Sequence, residues 1–178
     1  MRVSIFMILV LFLAGCSTEP PTKPEPVAQW VLGGEEYVNW AWGYVDMATY
    51  IDSLGQIDTV RYALADSIWT LGTNNVYTRA QIARLLRDAL PLSRRVPNDT
   101  LQRISGLIRP ASAGPYSDTI SRGADQGEWI SFVFLYDSTS DTYRKIELKV
   151  WGDWAYTNLA PQAGKLDSII ARVTQRQW

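Results

Sequence analysis

The chain contains the stretch Glu128-Trp-Ile-Ser-Phe-Val-Phe-Leu-Tyr136, in which β-branched and aromatic residues dominate. These are the residue types that strands prefer, and the stretch is apolar on both of its alternating faces. The polar residues 137–141 follow as turn formers, and apolar residues alternate with charged ones from Thr142 to Trp151. The sequence therefore predicts a β-hairpin over residues 128–151, with other elements covering both faces of its first strand.

The segments on either side of the hairpin carry helix signals. After Pro161, apolar residues at helical spacing predict a C-terminal helix that packs on the hairpin. Residues 110–127 are rich in Gly, Pro, Ser and Asp, and we interpret them as a long loop. Before that loop, Thr78-Arg-Ala-Gln81 fits a capping box that begins a helix ending at Pro91. A second short helix is predicted between Pro97 and Pro110.

Helical spacing also occurs near the start of the body. Steps of four, three, four and three residues connect Trp40, Tyr44, Met47, Ile51 and Leu54. Glu35 and Glu36 precede this pattern, where a helix dipole favours anions, and Gly55 follows it as a candidate C-cap. Residues 58–71 fit either a helix or a strand. We therefore predict a single α+β domain over residues 30–178. Its N-terminal half holds three to four short helices, and a long loop, the β-hairpin and a C-terminal helix follow.

The first sixteen residues have the order of an export signal. One positive charge, Arg2, precedes an apolar run from Ile5 to Leu13, and the chain then reads Leu13-Ala-Gly-Cys16. The run is too short to span about 30 Å of hydrocarbon as a permanent helix. The motif resembles the lipobox of bacterial lipoproteins. That resemblance implies a signal peptide over residues 1–15, cleavage before Cys16, and lipidation of this cysteine as a membrane anchor.

The residues after the cysteine predict a tether. Four prolines among residues 17–29 oppose both helix and sheet, and extended geometry at about 3.1 Å per residue would reach roughly 40 Å. By analogy with bacterial lipoproteins, Ser17 at the position after the cysteine favours the periplasmic face of the outer membrane, if the cell has two membranes. We therefore expect a body held near a bilayer in the cell envelope.

Tryptophan is unusually frequent, with eight residues in 178. So many large aromatic side chains fit either a dense core or a binding groove lined by rings. The candidate groove residues are Trp40, Trp42, Trp129 and Trp154.

Charge is distributed unevenly although the formal net charge is −1. Residues 35–66 carry a local excess of acids, and the stretch from Arg79 to Arg109 holds seven arginines and two acids. The arginines could form a surface for an anionic partner, or they could complement the acidic block on adjacent helices. The candidate surface residues are Arg79, Arg84, Arg87, Arg94 and Arg95.

Composition excludes several catalytic classes. The chain has no histidine, and its single cysteine is the predicted lipidation site, so histidine-based triads, thiol nucleophiles and imidazole or thiolate metal sites cannot form in the body. We predict no metal and no cofactor. Carboxylate chemistry remains possible, because Asp125, Glu128 and Asp153 flank the hairpin and could converge, with Trp129 and Trp154 as sugar platforms.

These observations predict a non-catalytic binding or assembly module that is anchored to the envelope through Cys16. Its partner is expected to be a cell-wall polymer or another envelope protein. Nucleic acid is not expected, because an exported protein with an acidic overall balance has neither the opportunity nor the extended basic surface to bind it. Two alternatives stay open. The protein could be a carboxylate-dependent glycan hydrolase, or it could bind anionic polymer or lipid through the Arg79–Arg109 surface.

Overall fold

A computed structural model describes residues 29–41, 43–63, 72 and 74–175. Cys16, the predicted signal peptide, almost all of the tether and Trp42 lie outside these residues. Within the described part, none of the helices has the length and apolar character needed to cross a membrane.

The described residues form one large antiparallel sheet. Its strands run in the spatial order β5-β3-β2-β1-β7-β8-β9-β6, and the short β4 pairs separately with β8. The strands are β1 (Val31–Asn39), β2 (Val45–Asp52), β3 (Gln56–Arg61), β4 (Val76–Thr78), β5 (Leu90–Arg95), β6 (Ile120–Ser121), β7 (Glu128–Asp137), β8 (Thr142–Gly152) and β9 (Trp154–Thr157).

Helices cover both faces of the sheet. They are α1 (Arg79–Leu85), α2 (Asn98–Ala111) and α3 (Pro161–Thr174). One face, which we call the helix-pair face, buries Leu32, Val133 and Leu148 against α2 and α3. The opposite face, which we call the aromatic face, is packed with α1. It buries the rings of Tyr50, Phe132, Phe134 and Tyr143.

The predicted helical N-terminal half is wrong, because residues 31–61 form β1, β2 and β3. The helical spacing falls on β2, which buries the polar Asp46 and exposes the apolar Met47, so the apolar–polar alternation of a strand is missing there and the spacing arose by coincidence. The predicted helix cap at Gly55 is instead part of a hairpin turn, in which Oδ1 of Asp52 accepts hydrogen bonds from the amides of Leu54 and Gln56. Gly55 has a φ of +83°, which suits such a turn.

The acids predicted to begin that helix are buried in β1 and point to opposite faces. Glu35 lies toward α3, where the hydroxyl of Thr174 donates to it at 2.5 Å. Glu36 lies on the aromatic face and pairs with Lys145 at 2.7 Å. The predicted complementarity of acidic and basic helices therefore fails, because the acidic block lies largely on strands. For residues 58–71, the described part up to Arg61 is strand.

Several local predictions are confirmed. The hairpin pairs Asp137 with Thr142 and Glu128 with Gly152, and its first strand is covered on both faces. The C-terminal helix is α3, which begins at Pro161. The capping box is present, since the Thr78 hydroxyl accepts from the Gln81 amide and the Gln81 side chain accepts from the Thr78 amide. That helix ends at Leu85, however, and Pro91 lies in β5.

Candidate functional site

A cleft opens at the end of the sheet where β1 ends, β7 begins and β8 turns into β9. It encloses about 480 Å³. Five side chains give it its chemical character, and we call it the tryptophan cleft: Trp40, Asp125, Glu128, Asp153 and Trp154. The three carboxylates that the sequence places around the hairpin thus line one cavity, together with two of the four candidate groove tryptophans.

A loop over residues 122–127 forms one wall of the cleft and is held by a network of hydrogen bonds. Asp153 accepts from the amide of Gln126 at 3.0 Å through Oδ1 and from the amide of Gly127 at 3.1 Å through Oδ2. From β1, the Tyr37 hydroxyl donates to the Gln126 carbonyl, and the Asn39 side chain donates to the Asp125 carbonyl. The wall is therefore built into the fold before any ligand binds.

Gly127 allows this loop to approach β1 closely. Its φ is +74°, and a Cβ added there would lie 2.5 Å from the carbonyl oxygen of Val38. Any other residue would have to push the loop away from the strand. The close approach is what sets Asp125 and Glu128 beside Trp40.

The two tryptophans of the cleft are unusually exposed. Trp40 retains 58% of its accessible surface and Trp154 retains 49%. Trp40 is steadied on one side by Tyr44, with ring centroids 4.7 Å apart. Exposed, partly braced rings beside carboxylates can hold the faces of sugar rings or cationic groups, because indole presents a flat and electron-rich surface.

Glu128 is half-buried in the cleft, and its pKa is raised above the ordinary value of 4.5. Burial is the largest cause, and the negative charges of Glu147 and Asp153 add to it. Burial thus has the larger effect, and of the charges that add to it Asp153 lines the cleft itself.

The other candidate groove residues lie elsewhere. Trp129 follows Glu128 in β7 and so points to the opposite face, where it packs on Tyr37 with ring centroids 4.3 Å apart. Trp42 is outside the described residues. The sequence already contained this information, because consecutive residues of a strand, here Glu128 and Trp129, point to opposite faces and cannot line the same cleft.

The five candidate arginines lie on or just after α1 and on β5, the edge strand of the sheet. Arg79 forms an ion pair with Asp141 at 2.9 Å and also donates to the Tyr136 hydroxyl. Arg94 donates to the carbonyl of Thr174 at the end of α3. Arg84, Arg87 and Arg95 are exposed. Arg109, which ends the basic stretch, belongs to α2 on the other side of the sheet.

A second group of ionisable residues lies inside the protein, and the sequence analysis missed it. The buried ion cluster consists of Glu36, Asp46 and Lys145 on the aromatic face. The carboxylate of Glu36 accepts from the Lys145 ammonium at 2.7 Å, with both side chains at most 1% exposed. Burial alone would lower the pKa of Lys145, but the charges of Glu36 and Glu147 outweigh it and raise that pKa.

Asp46 is fully buried beside this pair. Burial and the charge of Glu36 raise its pKa from 3.8 to about 7, against the lowering effects of the Tyr44 hydroxyl and Lys145. The side chain of Asp46 also lies within hydrogen-bond reach of Glu36, and this contact adds to the rise in the pKa of Asp46. The sequence contains one signal for the burial of Asp46. This residue lies two positions before Ala48 and four before Tyr50, so all three share one face of β2.

Neither group of acids resembles a metal centre. In the part of the chain that the structure describes, no three carboxylates are close enough together to hold a metal ion.

Comparisons of this chain with protein-family models, with curated proteins and with solved structures give no match.

Proposed function

We propose that this protein is an envelope lipoprotein that binds a carbohydrate ligand, without chemical conversion, in the tryptophan cleft. The observation that carries the proposal is the pair of half-exposed tryptophans, Trp40 and Trp154, which line one cavity with three carboxylates. Sugar rings present apolar C–H faces and polar edges, so they suit an indole face next to hydrogen-bond acceptors.

The arrangement of the carboxylates favours binding over catalysis. Both oxygens of Asp153 accept hydrogen bonds from loop amides, so this residue holds the wall of the cleft. A binding cleft also benefits from a wall fixed in advance, because a preformed site has less conformational entropy to lose on binding.

Replacing either cleft tryptophan with alanine is expected to weaken carbohydrate binding about tenfold or more, because aromatic anchors dominate the energetics of such sites. Binding can be measured by calorimetry and by quenching of tryptophan fluorescence, with chitosan oligomers and chito-oligosaccharides as probes. Trp30→Ala is a matched control, since Trp30 is also exposed but precedes β1 at the opposite end of the sheet. Equal affinity in Trp40→Ala, Trp154→Ala and wild type, or no binding of any glycan, would overturn the proposal.

A glycan hydrolase is the second candidate, and one observation favours it. Glu128 combines partial burial with a raised pKa, as a general acid requires, and it lines one cavity with Asp125 and Asp153. Hydrolysis of a bound oligosaccharide that is lost in Glu128→Gln, with binding retained, would replace the binding proposal by this one.

The envelope location rests on the lipobox-like Leu13-Ala-Gly-Cys16 and the proline-rich residues that follow. A diacylglyceryl group and an additional acyl chain would anchor the protein stably, whereas a single chain gives only marginal binding.

Replacing Cys16 with alanine is therefore expected to abolish incorporation of radiolabelled fatty acid and to release the protein from the membrane fraction. Labelling with palmitate and fractionation of cells measure both effects. Ser17→Ala serves as the neighbouring control and should leave labelling intact. Membrane retention and labelling that persist in Cys16→Ala would contradict the anchor.

A further inference from the structure

We infer that the tryptophan cleft selects a carbohydrate that carries a free, protonated amine over the same carbohydrate with that amine acetylated. This inference rests on the proposed function and names the class of sugar. It follows from the way in which charge and aromatic surface are combined around a single cavity.

The cleft is strongly acidic. Asp125, Glu128 and Asp153 contribute carboxylates, and none of the described residues that line the cavity is a lysine or an arginine. Arg122, at the start of the loop over residues 122–127, lines a separate cavity with Lys149 and Trp151. A cationic ligand is therefore complementary to the cleft, whereas an anionic sugar would be repelled.

The carboxylates lack an internal counter-charge of the kind that the buried ion cluster contains. Lys145 neutralises Glu36 at 2.7 Å in the interior, but nothing comparable lies in the described lining of the cleft. The charge of Asp153 accordingly helps to raise the pKa of Glu128, after the larger effect of burial. A bound ammonium group would relieve this repulsion and gain a charge-assisted hydrogen bond.

The tryptophan rings also favour a cationic ligand. A cation is attracted to the face of an indole ring, and tryptophan is the best aromatic partner for it. Trp40 and Trp154 can thus stack on the sugar ring and also stabilise its charge, whereas an acetylated amine offers the rings no charge.

The experiment compares two probes on the full folded domain: glucosamine tetramer and N-acetylglucosamine tetramer, by calorimetry at pH 6 and low salt. We expect the glucosamine tetramer to bind at least tenfold more tightly, since hydrogen bonds to charged groups are stronger than neutral ones. Its affinity should fall steeply as salt rises. Asp125→Asn and Glu128→Gln should each weaken binding of the glucosamine tetramer more than binding of the acetylated tetramer, so the preference falls in both variants.

The outcomes separate this inference from the proposed function. If both tetramers bind equally and both depend on Trp40 and Trp154, the amine preference is overturned while carbohydrate binding stands. If neither tetramer binds in a tryptophan-dependent way, the proposed function itself is overturned. If choline binds as tightly as the glucosamine tetramer, the site recognises an organic cation and the sugar specificity is wrong.

Discussion

Replacing Lys145 with methionine is expected to lower the free energy of unfolding by about 3–5 kcal/mol, the cost of removing one partner from a buried ion pair. The side chains of Glu36 and Lys145 are both inaccessible to solvent, so the substitution leaves a charged carboxylate with no counter-ion in a low-dielectric interior. Methionine preserves most of the volume of the lysine stem against Phe132. The loss therefore reports electrostatics more than packing. Urea denaturation at neutral pH measures it.

The double variant Glu36→Gln/Lys145→Met is the matched control. Removing both charges should recover at least half of the loss, because the uncompensated carboxylate is gone. A single variant that loses less than 1 kcal/mol would show that Glu36 escapes to solvent or takes up a proton at little cost, and the buried ion pair would then have little energetic importance.

Replacing Asp46 with asparagine is expected to stabilise the protein above pH 7 and to flatten its pH dependence. The pKa of Asp46 is raised from 3.8 to about 7, so the folded state holds this proton more tightly than the unfolded state does. The associated stability is fully present below about pH 4 and is lost as the pH rises to about 7. At 1.36 kcal/mol for each pKa unit, the full loss is on the order of 4 kcal/mol.

Asparagine resembles the protonated form of Asp46, because it can accept from the Tyr44 hydroxyl and donate to Glu36. Asp46→Asn should therefore keep at pH 8 the stability that the wild type has only in acid. Denaturation curves between pH 4 and 8 measure this effect, and Asp118→Asn in an exposed loop is the control. Two parallel stability profiles for wild type and Asp46→Asn would contradict the raised pKa of Asp46.

Local signals made part of the fold predictable. The hairpin turn after Tyr136 and the capping box at Thr78 each depend on a few consecutive residues, so the sequence contains the whole signal. The strands β1 and β2 were missed because burial does not follow polarity in them: β1 is buried on both faces, and β2 buries the polar Asp46 while it exposes the apolar Met47. Apolar–polar alternation identifies a strand only when one of its faces is exposed to water. It therefore cannot identify β1, which buries Glu35 and Glu36 on opposite faces.

The candidate site was likewise predictable only where its signals lie within a short stretch of sequence. The sequence indicated that Asp125, Glu128 and Asp153 could converge, because they flank a hairpin whose register pairs Glu128 with Gly152. The approach of Trp40 depends instead on the pairing of β1 with β7, which joins residues about ninety positions apart. Such long-range pairing is not encoded in any short motif, and neither is the meeting of Glu36 with Lys145.

The length and direction of β1 give the cleft an orientation. The chain enters the domain at Val31, and the tryptophan cleft lies just beyond Asn39 at the other end of this nine-residue strand. At about 3.3 Å per residue, the strand separates the two points by about 30 Å. If Cys16 anchors the protein as proposed, the tether therefore joins the domain at the end of β1 that is opposite to the tryptophan cleft.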